Sequence, residues 1–357
     1  MLNLKTGTVE KIIESRGNAV ELMVKIGEDI ERAIAYKTFT EGIEEGNEVI
    51  LNTTAKDLKL GTGGYHYVLA DLSNTVKESS GYGHIMKLRY TPMQIKVNSV
   101  EEQGSRYHEV FNKFNSLENM PVLVCGLHSM LAPLAIILKN INSKLRIGYI
   151  MTDGGALPID FSKNVHFLKK RGYIDGSITV GHAFGGDFEC VNIYNGLITA
   201  KEIMKCDICI VAMGPGIVGT GTKYGFTGTE QGKIIDAVND LNGSPICVPR
   251  ISFKDSRNRH FGISHHTITV LNLISKTRAY VGIPAFDDDK ENCIRKQISK
   301  YGIDKKHEVL FMGFNDIIDM LKKSDFVMET MGRTLKDDED FFLSVGVNAK
   351  IAQSIIF

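Results

Sequence analysis

Asp207-Ile208-Cys209-Ile210-Val211-Ala212-Met213 runs straight into Gly214-Pro215-Gly216-Ile217-Val218-Gly219-Thr220-Gly221-Thr222. After Asp207 the first segment shows no polar alternation. A strand of that kind meets apolar neighbours on both faces, as in a parallel sheet covered by helices. The glycines and Pro215 end the strand and open a long loop at its carboxyl end. Working outward, six more runs have the same character: Val122–Cys125, Arg146–Met151, Ser177–Val180, Pro245–Val248, Arg278–Ile283 and Glu308–Met312. Helical patterns separate them. Pro158 suits a first turn, Phe161, Val165 and Leu168 share a face, and Gly172 stops that helix. Asp287-Asp288-Asp289 opens another, with Ile294 and Ile298 inward and Gly302 at its end. Strict β-α alternation predicts an α/β fold with a doubly wound, mainly parallel, Rossmann-like sheet. A (βα)8 barrel is the alternative, because a weak eighth unit (Phe326 to Glu329, then Asp337 onward) can be counted.

Residues 1–80 read differently. Thr8–Ile13, Val20–Val24, Ala33–Tyr36 and Glu48–Leu51 are short strand patterns, with turn signals at Gly17-Asn18, Gly27 and Gly46-Asn47. They predict a small N-terminal β-barrel domain. It holds nine Lys/Arg against thirteen Asp/Glu, a net of −4, which repels a phosphate backbone. A structural or docking role is expected of it. Residues 81–120 are a connector, in which His84–Val97 could extend a sheet, with Pro92 demoting it to an edge, and Arg106–Phe114 could form a short helix. Residues 121–357 are the α/β domain.

The 357 residues, 43% apolar and 24% charged, fit an ordinary globular chain of two domains. Basic and acidic side chains balance at 42 each, so no global attraction to nucleic acid or to an anionic membrane is expected. Six cysteines are too few for a disulfide scaffold, and Cys125, Cys209 and Cys247 fall inside apolar strands as buried thiols. The pair Cys206/Cys209 has no second pair to complete a zinc site. Met1–Lys5 does not open a signal peptide, and the longest apolar stretch, Met130 to Leu138, is too short to span a membrane. A soluble cytoplasmic protein is expected.

Five successive strands end in loops rich in Gly, His, Asp or Arg: Gly126–Ser129, Asp153–Pro158, Gly181–Glu189, Gly214–Thr222, and Arg250 to His266. The opposite ends carry plain turns such as Asn142-Ser143 and Asn242-Gly243. Doubly wound sheets and (βα)8 barrels both place their sites at strand carboxyl ends, so these loops predict a ligand site.

The strings Asp153-Gly154-Gly155-Ala156-Leu157-Pro158, Gly181–Asp187, Gly214-Pro215-Gly216 through Thr222, Ser264-His265-His266-Thr267 and Thr330-Met331-Gly332-Arg333, with Gly61-Thr62-Gly63-Gly64 upstream, resemble a bacterial family, domain-of-unknown-function family 3866. The likeness covers nearly the whole chain. It implies kinship, and it implies no activity, substrate or cofactor.

The residues themselves suggest chemistry. Gly214, Gly216, Gly219 and Gly221, with the Thr220 and Thr222 hydroxyls, have the composition of an anion cradle, although long-loop geometry alone would also use such glycines. No Walker lysine follows. Residues 250–266 hold Arg250, Lys254, Arg257, Arg259, His260, His265 and His266 against Asp255 alone, ending at a helix cap, Ser264. Arg257, Arg259 and His266 are therefore the expected partners of a small anionic molecule. For acid–base work the candidates are His182, Asp153, Asp187 and His265, with Glu189 and His266 nearby in sequence. His182, Asp187 and Glu189 could instead join Asp153 or His265 on a divalent metal, but the spacing matches no metal motif and no metal is assigned; the cofactor is unknown. Ser129 after His128 has the place of a nucleophile turn without its G-x-S-x-G pattern. The leading reading is an enzyme, a hydrolase or group transferase, acting on a small anionic substrate, phosphorylated ones included. Its general acid/base is His182, oriented by Asp153 or Asp187. The alternatives are a nucleotide- or metabolite-binding regulatory protein and an assembly scaffold. The apolar tail Ile351 to Phe357 would dock on a helix or on a second subunit, which leaves a homo-oligomer open.

Overall fold

The structure is a computed structural model and describes residues 2–61, 63–74 and 81–356, so Thr62 and Phe357 lie outside the described residues. The chain divides into two units, Met1–Tyr82 with Tyr90–Gln94, and Gly83–Arg89 with Ile95–Phe357.

The first unit holds a closed barrel of five strands, β1 (Leu4–Arg16), β2 (Ala19–Ile26), β3 (Asp29–Tyr36), β4 (Glu48–Asn52) and β5 (His66–Asp71), in the order β1-β2-β3-β5-β4. β1 serves two neighbours: its first half pairs with β4 and its later part with β2. Irregularities between Val9 and Lys11 and between Ile12 and Glu14 bend it enough to do both. Parallel pairing of β3 with β5 completes the closure around Val9, Leu22, Val24, Val49, Leu51 and Val68. The fifth strand escapes the sequence reading because His66–Asp71 buries residues without clean alternation. A one-turn helix, α1 (Thr54–Asp57), follows β4.

In the second unit the expected sheet extension at 84–97 is a hairpin of two three-residue strands, β6 (Ile85–Lys87) and β7 (Ile95–Val97), and α2 is His108–Lys113. The main sheet then follows. Its strands are β8 (Pro121–Cys125), β9 (Ile147–Thr152), β10 (Gly176–Thr179), β11 (Phe188–Glu189), β12 (Ile208–Met213) and β13 (Ser244–Val248). After the hairpin β14 (Ile251–Ser252) and β15 (Gly262–Ile263), the sheet ends with β16 (Tyr280–Pro284) and β17 (Glu308–Met312). All seven long strands expected from the sequence are present within two residues. The order is β11-β10-β9-β12-β8-β13-β16-β17, and every pairing is parallel. The sheet is open, so the doubly wound description holds and the (βα)8 alternative does not. The weak eighth unit is a separate two-residue hairpin, Glu329–Thr330 with Arg333–Thr334, outside this sheet.

Every residue of β8, β9, β10, β12 and β13 is buried, as non-alternating apolar runs require. The covering helices are α3 (Leu131–Ile141), α4 (Lys163–Lys170), α5 (Ile193–Ile198), α6 (Glu230–Asp240), α7 (His265–Thr269), α8 (Asp288–Tyr301), α9 (Ile317–Lys322) and α10 (Glu339–Ile356). α8 starts and stops as read, with the Asp287 side chain accepting from Lys290 N–H and Gly302 left-handed at φ 62°. α4 starts later than Pro158 suggests. Pro158 is extended ahead of a single 3-10 turn, and Ser162 caps α4 by accepting from Val165 N–H. The tail is docked within the unit: Ile351 is buried against Gly282 of β16, and the Asn348 amide bonds both Gly282 N–H (2.8 Å) and C=O (3.1 Å). Among the described residues no helix is long and apolar enough to cross a membrane. All six cysteines are free thiols, five of them buried.

Candidate functional site

From β8 the chain moves outward through β9, β10 and β11, then returns to insert β12 between β9 and β8 before continuing on the other side with β13. Direction therefore reverses around β8 and β12, where an open α/β sheet has its crevice. A cavity of about 280 Å³ lies there, lined by Leu127, His128 and Ser129 after β8, Phe161 to Asn164 after β9, Pro215 to Ile217 after β12, and Glu329 and Met331. The loops after β9 and β12 cross so closely that a Cβ on Gly155 would come 2.3 Å from Gly214 O, and one on Gly214 would come 2.2 Å from Ala156 O. Ala156 N–H donates to Pro215 O at 2.8 Å across this crossing. Gly216, at φ 105° with nothing near its Cβ position, opens to the cavity.

Ser162 and His128 form the cavity's polar wall. The Ser162 hydroxyl is 2.6 Å from His128 Nε2. His128 Nδ1 is 3.0 Å from Met213 O and 3.3 Å from Tyr149 Oη, whose own proton goes to Ala212 O. A carbonyl only accepts, so Nδ1 carries the proton and Nε2 receives the serine hydroxyl. Burial pushes His128 down to about 4, which keeps the ring neutral. Ser162, Lys163 and Asn164 bring the positive end of α4 to the cavity. Neither Ser162 nor Glu230 is among the residues expected from sequence. Glu230, the first residue of α6, accepts from the Thr152 hydroxyl at 2.6 Å. Burial lifts it to about 7; the Thr152 bond opposes this, and the Asp153 charge adds to it.

The remaining expected residues divide along the rim. Asp153 accepts from the backbone N–H of His182 at 2.9 Å, and the His182 ring takes Leu88 N–H on Nδ1 at 3.1 Å. Asp153 thus holds the His182 main chain, while the ring is oriented by Leu88. Asp187 caps Ser177 N–H and hydroxyl and pairs with Lys169. Glu189 bonds Lys87, Thr179 and Gly185 N–H. These two carboxylates fasten the β10–β11 edge. Thr220 and Thr222 bond each other and Gly225, folding residues 219–225 back on themselves outside the cavity. Arg257 is clamped on Asp255 through Nε (2.9 Å) and Nη2 (2.8 Å), beside the buried Arg250–Asp255 pair. Arg259 is exposed, with its guanidinium 3.8 Å from the Cβ position of Gly221.

His260, His265 and His266 gather beneath this loop, and Phe226 stacks on His266 at 4.0 Å and 8°. Burial, with Arg250 next, pushes His260 down to about 3; burial and the two neighbouring imidazoles do the same to His266. Burial and Arg259 lower His265. The ends of β10 and β13 are four strand spacings apart, about 19 Å, so His182 and the histidine cluster occupy different parts of one rim.

An open, doubly wound α/β unit with a polar cavity at its switch point, joined in one chain to a closed five-stranded barrel, is the class that fold and site define. The chain belongs to the family described as "Protein of unknown function (DUF3866)", whose model matches residues 32–349. No curated protein and no solved structure matches it.

Proposed function

We propose that the cavity between β8 and β12 is the active site of a cytoplasmic hydrolase or group transferase that acts on a small anionic substrate. The observation that carries this reading is the 2.6 Å contact from the Ser162 hydroxyl to a His128 ring whose tautomer is fixed from behind by Met213 O. In the reaction Ser162 Oγ attacks the acyl or phosphoryl centre as its proton passes to His128 Nε2. The leaving group departs with that proton. Water or an acceptor hydroxyl then cleaves the serine ester, returning a proton to Ser162 through the same nitrogen. An imidazole held near 4 is a weak base at rest. An anion beside it supplies the counter-charge that the resting site does not have, so the base strengthens when substrate binds. Lys163 and the amino end of α4 give that anion its place.

A second reading, a nucleotide- or metabolite-binding regulatory protein, has one observation in its favour. Ser162 also caps α4, so its bond to His128 has a structural use without chemistry.

The test is turnover of a panel of small phosphate and carboxylate esters by wild type and by Ser162→Gly. Glycine removes the nucleophile but costs an N-cap only a few tenths of a kcal/mol. Loss of turnover with unchanged melting supports the proposal. Equal turnover by both proteins overturns it, and ester binding without any turnover moves the choice to the binding protein.

A further inference from the structure

We propose that His260, His265 and His266 form a binding site for one divalent transition-metal ion of the zinc class. One nitrogen from each of the three rings lies within 4.8 Å of the others. Ring centroids are 4.3 to 5.1 Å apart, and the rings are tilted or edge-on to one another, not stacked. Three nitrogens on one ion about 2.1 Å away stand about 3.4 Å apart, so the rings close on it by small side-chain rotations. His265 Nε2 and His266 Nδ1 are buried and have no hydrogen-bond partner. Buried ring nitrogens are ordinarily satisfied, so two orphans facing the same cluster mark a ligand position.

The local chain holds the rings for this task. His260 closes a one-turn 3-10 helix, Gly262 at φ 69° turns the chain back, and Ser264 caps α7, which begins with His265 and His266. The Ser264 hydroxyl is 2.7 Å from His260 Nδ1, with Arg250 Nη1 3.4 Å from the same nitrogen, and these outer partners orient the ring. Phe226 holds the plane of His266. A set of imidazoles without a carboxylate suits zinc, cobalt, nickel or copper and not magnesium or calcium. The positive groups nearby do not exclude a cation. Asp255 is shared by Arg250 and Arg257 and cancels one of their two charges, which leaves that charge and Arg259 to be met by an anionic ligand on the ion. Three protein ligands leave a coordination position for water or an anion, and Arg259 beside Gly221 favours the anion.

The site does not depend on the Ser162–His128 reading, because metal binding is measured without turnover. The full chain, purified without a metal-affinity tag and stripped with a chelator, is titrated with Co²⁺ and then with Zn²⁺. The expected result is one equivalent of Co²⁺ with the visible absorption of a four-coordinate nitrogen site, displaced by Zn²⁺. His265→Gln and His266→Gln should each weaken binding by about a hundredfold, while His166→Gln on the exposed face of α4 leaves it unchanged. A wild-type protein that takes up neither ion overturns the proposal, and so does a folded His265→Gln or His266→Gln protein that binds Co²⁺ as tightly as wild type. Should a variant fail to fold, the wild-type titration and its absorption still decide the question.

Discussion

Lys87 Nζ lies 2.6 Å from Glu189 Oε2, joining the hairpin strand β6 to the outermost strand of the sheet across 102 residues of sequence. The same ammonium donates to Thr179 O (3.1 Å) and Ala183 O (2.5 Å). Its side chain is 2% exposed, so the charge is buried in a nest of acceptors on both flanks of the Gly181–Gly186 loop. Replacing it by Met should leave Glu189 uncompensated and cost about 3–5 kcal/mol. Urea denaturation of Lys87→Met is the measurement, and adding Glu189→Gln should recover part of the loss. If Lys87→Met alone costs nothing, the nest does not hold the rim.

The pH dependence of stability should carry the signature of Glu230. Its pKa is raised from 4.5 to about 7, so the folded state keeps a proton that the unfolded chain releases. The corresponding stability is fully present below about pH 4.5 and is lost as pH rises to about 7, of order 2–3 kcal/mol. Glu230→Gln should remove this slope and be the more stable protein at pH 8. Denaturation midpoints at pH 5 and pH 8 for both proteins provide the check, and parallel pH profiles would count against a perturbed Glu230.

Gly155 and Gly214 should not tolerate a methyl group. Their added Cβ atoms meet backbone oxygen at 2.3 and 2.2 Å, so the two loops must part. Each Ala variant should lose about 1–3 kcal/mol, with Gly313→Ala as the control, since nothing lies within 4 Å of its Cβ position. Thermal melting separates them, and three equal melting temperatures would contradict the crossing.

Arg257 and Arg259 should behave differently although only Asn258 separates them. Arg257 is a fork on the buried Asp255, and its removal should cost about 1 kcal/mol. Arg259 is exposed, and its removal should stay within about 0.5 kcal/mol of wild type. Melting of the two Ala variants side by side is sufficient. Equal losses would mean that the Asp255 clamp does not hold in solution.

How far the sequence could be read depended on how local the signal was. Ile208–Met213 and its parallel neighbours are continuous apolar runs, which only a doubly covered sheet accommodates, and they were legible. β11 was not, because Phe188 and Glu189 join the sheet by pairing with Ile178 and Thr179 and through a bond from Lys87 elsewhere in the chain. The rim loops were legible as a group through their glycines and polar residues. Their internal partners were not. Arg257 reads as an anion clamp in the sequence, whereas in the fold its Nε and Nη2 donate to Asp255. Ser162 is not legible, because Pro158 takes the helix-start signal and the imidazole that Ser162 meets lies 34 residues upstream. Glu230 is not legible either, because its burial against Thr152 arises only when β9 and α6 pack together.

The place of β12 also sets a constraint on how the molecule is made. During synthesis β8 and β9 emerge first, yet they are not neighbours in the finished sheet; a strand arriving some sixty residues after β9 separates them. Until residues 208–213 leave the ribosome, the nascent chain has either a slot one strand wide or a premature β8–β9 pairing that must be undone. Each facing edge is a row of unpaired amides and carbonyls, open to any other extended chain. A fragment stopped before Ile208 should therefore aggregate or recruit chaperones, while one extended through Met213 gains a filled centre on which the remaining strands can be laid down one at a time.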